Sequence, residues 1–242
     1  MIVIPAKFGS SRLPEKNFKP FFEGLSLLQI ATIRASLTGH EVVVSSERPD
    51  IVRDQLHDLP AKIIQDIKII SRDDKLAKDP ATILDVLRDT IAKRNSQNLE
   101  FIACVLPTSP FNTHTLILKA IETYKKSNCD RLISVCQSTK PPFNSWLLKK
   151  SMELEFAFPE SPFRSTKSTE CPSTYLSNGC IGIYDVNKLC AGSEFTLTHG
   201  FEMEDMSSID IDHDFEFKMA SAIFERFSKD AALVEEVKNS KS

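Results

Sequence analysis

Apolar positions along this chain follow two rhythms. Short β-branched runs alternate with stretches whose apolar residues recur at helical spacing, the pattern of an α/β domain with a largely parallel sheet. Residues 2–5 read as a first strand that opens into a polar loop running to about Lys19. Leu27, Leu28, Ile30, Ala31 and Ile33 predict a helix capped by Ser26, ahead of a strand over 41–45. Pro49 suits the first turn of a helix ending near Leu56, and 67–70 is a short strand. Asp79-Pro80 has the form of a cap and a proline-primed first turn, with Ile83, Leu84, Leu87 and Ile91 on one face of the helix it would begin. Residues 101–106 form the clearest buried strand, ended by Pro107-Thr108-Ser109-Pro110. A helix bearing Leu116, Ile117, Ala120 and Tyr124 follows, then a strand over 132–136.

The regularity breaks between 138 and 174. Five prolines fall there (Pro141, Pro142, Pro159, Pro162 and Pro172), so the stretch reads as an insertion or small subdomain. The main domain is then 1–137 together with 175–242. The insert carries Phe143, Trp146, Leu147, Leu148, Phe156, Phe158 and Phe163, apolar surface that predicts a partner surface and hence a homodimer. The main pattern resumes with a strand over 181–184, a strand-like run over 209–212 and a last helix carrying Ala220, Ile223, Phe224 and Phe227. Only the Lys/Ser tail after Val237 has the composition of disorder.

Composition narrows the function classes. Thirty basic against 33 acidic residues give a net charge of −3, which argues against a dedicated nucleic-acid binder. No apolar run approaches the length of a membrane span. The start is too short for a signal-peptide core and enters a charged segment, so export is not expected. Six cysteines occur without a C-x-x-C pair, and the five histidines show no ligand spacing. Free thiols in a reducing compartment, the cytosol, are the expectation.

The chemistry concentrates in the loop after the first strand. Lys7, Arg12 and Lys16 flank Gly9, Ser10 and Ser11, with Asn17 beyond. Ligands of open α/β sheets bind beyond the carboxyl ends of strands, and successive N–H groups near a glycine can form an anion-binding concavity. Neither G-x-x-x-x-G-K-[ST] nor G-x-G-x-x-G is present. A basic loop of this composition is also common on solvated surfaces, so its position after the first strand carries the argument. Asp210 and Asp212 stand one residue apart, which on a strand aims both carboxylates to one face and Ile211 to the core. Two readings stay open: a site for Mg²⁺ completed by phosphate oxygens, or a cap on the last helix from Asp212 or Asp214.

Ile4-Pro5-Ala6-Lys7-x-Gly9-Ser10-x-Arg12-Leu13-Pro14-x-Lys16-Asn17 resembles the signature of the CMP-sialic acid synthetases and related sugar-acid cytidylyltransferases, I-P-A-R-x-G-S-K-R-x-P-x-K-N. Arg72 with Leu76-Ala77-x-Asp79, the Pro107–Pro110 run, Tyr175-x-x-Asn178-Gly179 and Ile209-Asp210-Ile211-Asp212 match in the same order. The resemblance implies a Rossmann-like nucleotide-binding α/β fold with a small dimerisation subdomain. It further implies transfer of CMP from CTP to a 2-keto sugar acid with Mg²⁺. Arg12 and Lys16 would act on the triphosphate with Lys7 beside them, and Asn17 would lie next to the nucleotide. Ser10 falls within the same motif, Arg72 and Asn178 would line the cleft, and Asp210 and Asp212 would hold the metal. Departures leave the sugar open among sialic, legionaminic, pseudaminic and Kdo-type acids. Lys7 stands where arginine is usual, and Ser11 and the G-S-S-R-L-P run lie closer to the Kdo branch. Leu106 replaces a glutamine and Asn112 an arginine. A non-catalytic nucleotide-binding protein on the same fold is the rival from another class.

Overall fold

Strand β1 (Ile2–Pro5) is buried along its whole length. It sends Ile2 and Ile4 into one apolar layer and Val3 into the other, as the period of two requires. The computed structural model describes residues 1–10, 12–94 and 99–227. After β1 come a small hairpin, β2 (Pro20–Phe22) and β3 (Leu25–Ser26), then helix α1 (Leu27–Ser36) and strand β4 (Val42–Ser46). Helices α2 (Pro49–His57) and α3 (Ala61–Ile64), strand β5 (Ile67–Ser71), helix α4 (Ile83–Arg94), strand β6 (Phe101–Val105), helix α5 (His114–Ser127) and strand β7 (Arg131–Gln137) follow. A second hairpin, β8 (Trp146–Leu148) with β9 (Leu154–Phe156), stands outside the central sheet. The chain returns through β10 (Tyr175–Asp185), α6 (Val186–Ala191), β11 (Thr198–Glu202) and α7 (Asp214–Phe227).

Seven strands form the central sheet in the order β11-β7-β10-β6-β1-β4-β5. All neighbours are parallel except β10, which runs antiparallel to both β6 and β7. The chain moves outward from β1 through β4 to β5, then crosses back to β6 on the other side of β1. That reversal opens a crevice beyond the carboxyl ends of β1 and β6. The α/β class and mostly parallel sheet match the sequence expectation.

Local chemistry sets the helix starts. Ser26 and Gln29 form a reciprocal capping box on α1: Gln29 N–H donates to Ser26 Oγ and Ser26 N–H to Gln29 Oε1. Thr113 Oγ1 accepts the Leu116 N–H at the start of α5. Asp79-Pro80 does not begin α4. The helix starts at Ile83, where Thr82 N–H donates to Asp85 Oδ2 and Asp85 N–H to Thr82 Oγ1, a capping box that outcompetes the proline signal.

The run 209–212 is likewise not a strand; the seventh strand is β11. Segment 209–212 is held instead by Ile211 N–H donating to the Thr108 carbonyl, which still buries Ile211 and leaves the flanking aspartates half-buried. Asn178-Gly179 lies within β10. It forms an irregularity inside β10, where Gly179 takes a φ of +71° that side chains disfavour.

Residues 138–174 connect β7 to β10, which pair directly, and add no strand to the central sheet. Cys104, Cys129 and Cys180 are buried, and burial pushes the thiols of Cys104 and Cys180 up to about 12. No helix among the described residues is long and apolar enough to cross a membrane. Ser11, the tail after Val237 and the side chain of Phe227 lie outside the described residues.

Candidate active site

A cleft of about 360 Å³ lies at the β1/β6 switch point. Lys7, Arg12, Lys16 and Asn17 reach it from the loop after β1, and Arg72 from the residue after β5. Leu106, Pro107 and Thr108 close it after β6, and Asp210 and Asp212 face it ahead of α7. Lys7, Arg12, Lys16 and Arg72, from two distant segments, thus share the cleft with Asp210 and Asp212, and Lys78 lines it as well. Asp79 also lines the cleft. Ser10 and Asn178 do not.

Asp212 is the electrostatic centre. Its Oδ1 accepts from Lys16 Nζ at 2.9 Å and from Arg12 Nη2 at 2.7 Å. Partial burial opposes ionisation of Asp212, but the bond and charge of Lys16, followed by those of Arg12, outweigh it and hold the carboxyl below its ordinary range. Lys16 is not the solvent-facing side chain its loop position predicts. It is 12% exposed and donates to the Ile211 carbonyl as well, whereas Arg12 is 56% exposed.

The capping alternative for Asp212 fails on geometry. The N–H groups of Asp212 and His213, just ahead of α7, donate to Glu216 Oε2 at 2.6 and 2.9 Å, the reach-back half of a capping box, while the Asp212 carboxylate turns to Lys16, Arg12 and the cleft. Asp210 accepts from the Thr108 hydroxyl. Burial pushes its carboxyl above the usual range; the Thr108 bond opposes that shift and the charge of Asp212 adds to it.

Arg72 is almost fully enclosed and paired with Glu47, which sequence reasoning did not single out. Glu47 also accepts the Phe8 and Gly9 N–H groups, at 2.7 and 3.3 Å. The anion-binding concavity expected at Gly9 is therefore filled by the protein's own carboxylate, and the grip on a ligand falls to side chains. Asn17 is buried; its Nδ2 donates to the Lys7 carbonyl and its Oδ1 has no partner among the described residues. Asn178 spends its amide internally: Oδ1 accepts from Ser134 Oγ and the Cys180 N–H, and Nδ2 donates to Ser208 Oγ. Ser10 donates its N–H to the Phe8 carbonyl. No spacing rule marks Glu47, because a lone Glu at a strand end has many ordinary uses; Thr108 lies in the motif-matching Pro107–Pro110 run, which by itself gives it no role.

Two like-charged carboxylates facing one cleft suit a hard cation, and burial, with the charge of Asp212 adding to it, already holds the Asp210 carboxyl above its usual range. Among the described residues no group of three or more His, Cys, Asp or Glu is placed to hold a metal alone. The donor set therefore fits Mg²⁺ in the form that takes one or two carboxylates and completes its shell with phosphate oxygens and water. A second crevice, of about 470 Å³, lies at the opposite end of the sheet beside Glu41, Lys62 and Lys68. Glu41 there is already bound by Arg94 and Lys68, and none of the loop cations reaches it.

Comparison with known proteins bears on the family and the fold. The N-acylneuraminate cytidylyltransferase of Streptococcus agalactiae serotype III is 26% identical over 215 residues, covering 87% of this chain and 49% of that protein. The chain thus spans about half the length of this relative. The pseudaminic acid cytidylyltransferase of Campylobacter jejuni is 25% identical over 184 residues, 74% of this chain and 75% of that one. A solved CMP:2-keto-3-deoxy-manno-octonic acid synthetase complexed with CTP shares the fold, with a TM-score of 0.65 at 15% identity over 93% of this chain and 98% of its own. The sequence model described as Cytidylyltransferase matches residues 1–206, from β1 past the end of β11 and through most of the cleft, and on that match the chain belongs to the cytidylyltransferase family.

Proposed function

We propose that this chain activates a sialic-acid-like 2-keto sugar acid with CTP, releasing the CMP-sugar and pyrophosphate. The observation that carries the reading is the convergence of Lys7, Arg12, Lys16 and Arg72 on one cleft with Asp210 and Asp212. The anomeric hydroxyl attacks the α-phosphorus of CTP and the bond to pyrophosphate breaks. Such a displacement needs positioning and charge neutralisation more than covalent help. Lys16 and Arg12 would bind the triphosphate, exchanging part of their hold on Asp212 for phosphate oxygens. Lys7 and Arg72 add charge at the wall, and the unpartnered Asn17 Oδ1 offers an acceptor beside the nucleotide. Asp210 and Asp212 would hold Mg²⁺, whose chemistry when bound is to neutralise the triphosphate.

The insert supports a homodimer. Trp146, Leu148 and Leu154 are 49%, 62% and 57% exposed on the β8–β9 hairpin, with Phe158 nearby in sequence also exposed. A contiguous apolar face of this kind is suited to a second copy of the chain. The cytosol, where CTP is available, suits the reading. The deciding experiment incubates the protein and Mg²⁺ with CTP and each of N-acetylneuraminate, legionaminate, pseudaminate, Kdo and 8-amino-Kdo, and reads CMP-sugar by mass spectrometry. A product with the first is expected. Product only with Kdo or 8-amino-Kdo moves the substrate to that class, and no product with any acid overturns the reading in favour of a nucleotide-binding protein without this activity.

A further inference from the structure

We infer that Glu47 is a positioning residue that sets both the phosphate loop and Arg72 from behind the cleft wall. The inference rests on the proposed use of CTP for its kinetic consequence, but not for its structural one. In the sheet β4 lies between β1 and β5, so the residue that follows it at its carboxyl end can touch the loops after both neighbours. Glu47 occupies that place. Its Oε1 accepts from the Phe8 and Gly9 N–H groups, and its Oε2 from Arg72 Nε at 3.2 Å and Nη2 at 2.7 Å.

The side chains of Glu47 and Arg72 are only 10% and 3% exposed. Arg72 lines the cleft and Glu47 does not, so the carboxylate acts through its partners rather than on a ligand. Arg72 is fixed a second time by its own N–H, which donates to the Ser46 carbonyl one residue before Glu47. One end of β4 therefore dictates where the guanidinium points and how the loop bearing Lys7 and Arg12 leaves β1. Charge-assisted bonds to a buried carboxylate are the stronger class of hydrogen bond, which suits the task of holding a loop against a highly charged ligand.

Two variants and two readouts test this. Glu47→Ala removes the carboxylate; Glu47→Gln keeps the length and an acceptor oxygen but not the charge on Arg72. Without nucleotide, the Phe8 and Gly9 amides of Glu47→Ala should exchange with solvent at least about tenfold faster by NMR. With CTP and Mg²⁺, KM for CTP should rise at least about tenfold while KM for the sugar acid stays within about twofold. In an Arg72→Ala background Glu47→Gln should add less than about twofold, because its effect runs through the missing partner.

Unchanged exchange at both amides overturns the inference, as does an equal rise in both KM values. Should Glu47→Ala not melt cooperatively, Glu47→Gln is judged on its KM split alone. If the wild-type chain binds no CTP, the proposed function falls, and the exchange rates decide the role of Glu47 by themselves.

Discussion

Lys16 and Asp212, 196 positions apart in the chain, meet with Nζ 2.9 Å from Oδ1, and Lys16 also donates to the carbonyl of Ile211. The contact ties the loop after the first strand to the segment ahead of the last helix, so the two halves of the cleft are one unit before any ligand arrives.

The contrast between Lys16 and the exposed Arg12 sets the first prediction. Lys16→Ala should lower unfolding free energy by about 1–3 kcal/mol, because it strips a donor from the half-buried Asp212 carboxylate and from the carbonyl of buried Ile211. Arg12→Ala should leave the melting temperature near wild type and weaken CTP binding at least about tenfold, about 1.4 kcal/mol. Calorimetric melts beside CTP titrations check both. Equal melts for the two variants would contradict the division of labour.

Phe224 organises the packing behind the site. Its ring lies 5.4 Å from that of Phe21, 5.0 Å from Phe22 and 5.6 Å from Phe111, with the Arg34 guanidinium 5.5 Å above it. Those partners come from β2, its neighbouring helix α1 and the turn after Pro110, whose carbonyl accepts from Arg34. Phe224→Ala should cost about 3–5 kcal/mol, as deletions of a buried aromatic ring do. Urea unfolding measures it, and a loss below about 1 kcal/mol would show that the cluster relaxes into the space.

The legible parts of this molecule are those where local pattern and tertiary burial agree. β1, β4 and β6 are apolar because both faces are covered, and α1 carries its start signal in Ser26 and Gln29. β11 was not legible: Phe201 is its one buried residue, Gly200 interrupts it, and backbone pairing with β7 forms it. The run 209–212 misled because apolar alternation also describes an extended segment pinned by a single carbonyl. At the site, Lys7, Arg12 and Lys16 showed in their loop after the first strand, the aspartates in their spacing and Arg72 only through the family resemblance, whereas Glu47 acts through folded neighbours that a linear reading does not join. Asn178 lay inside a recognisable motif, yet its amide is taken up by Ser134, Cys180 and Ser208.

Assembly gives the third prediction. Trp146 stacks on Phe156 at 3.9 Å, so the hairpin has its own packing and can lose neighbouring apolar groups without unfolding. Leu148→Glu with Leu154→Glu should keep the wild-type circular dichroism and convert a dimeric mass to a monomeric one in analytical ultracentrifugation. A wild-type protein that sediments as a monomer at micromolar concentration would remove the basis for a dimer on this face.

The last prediction separates two duties of Asp212. As an ion-pair partner it holds Lys16 and Arg12; as a metal ligand it would also help to fix Mg²⁺ on the triphosphate. Asn at this position keeps an oxygen for Lys16 and leaves the Glu216 bonds ahead of α7 intact, since those use backbone N–H groups. Asp212→Asn should therefore cost only about 1 kcal/mol of stability, the difference between a charged and a neutral hydrogen bond. If Asp212 binds the metal, half-saturation for Mg²⁺ should rise severalfold and turnover at saturating Mg²⁺ should fall at least about tenfold, a loss of about 1.4 kcal/mol in transition-state stabilisation. If it serves only the ion pairs, KM for CTP should move and the Mg²⁺ dependence should not. Asp210→Asn sharpens the comparison, because Asp210 contacts neither cation and has Thr108 as its partner. A metal site predicts that both substitutions shift the Mg²⁺ requirement together, and a shift in neither would take the cation away from these two carboxylates.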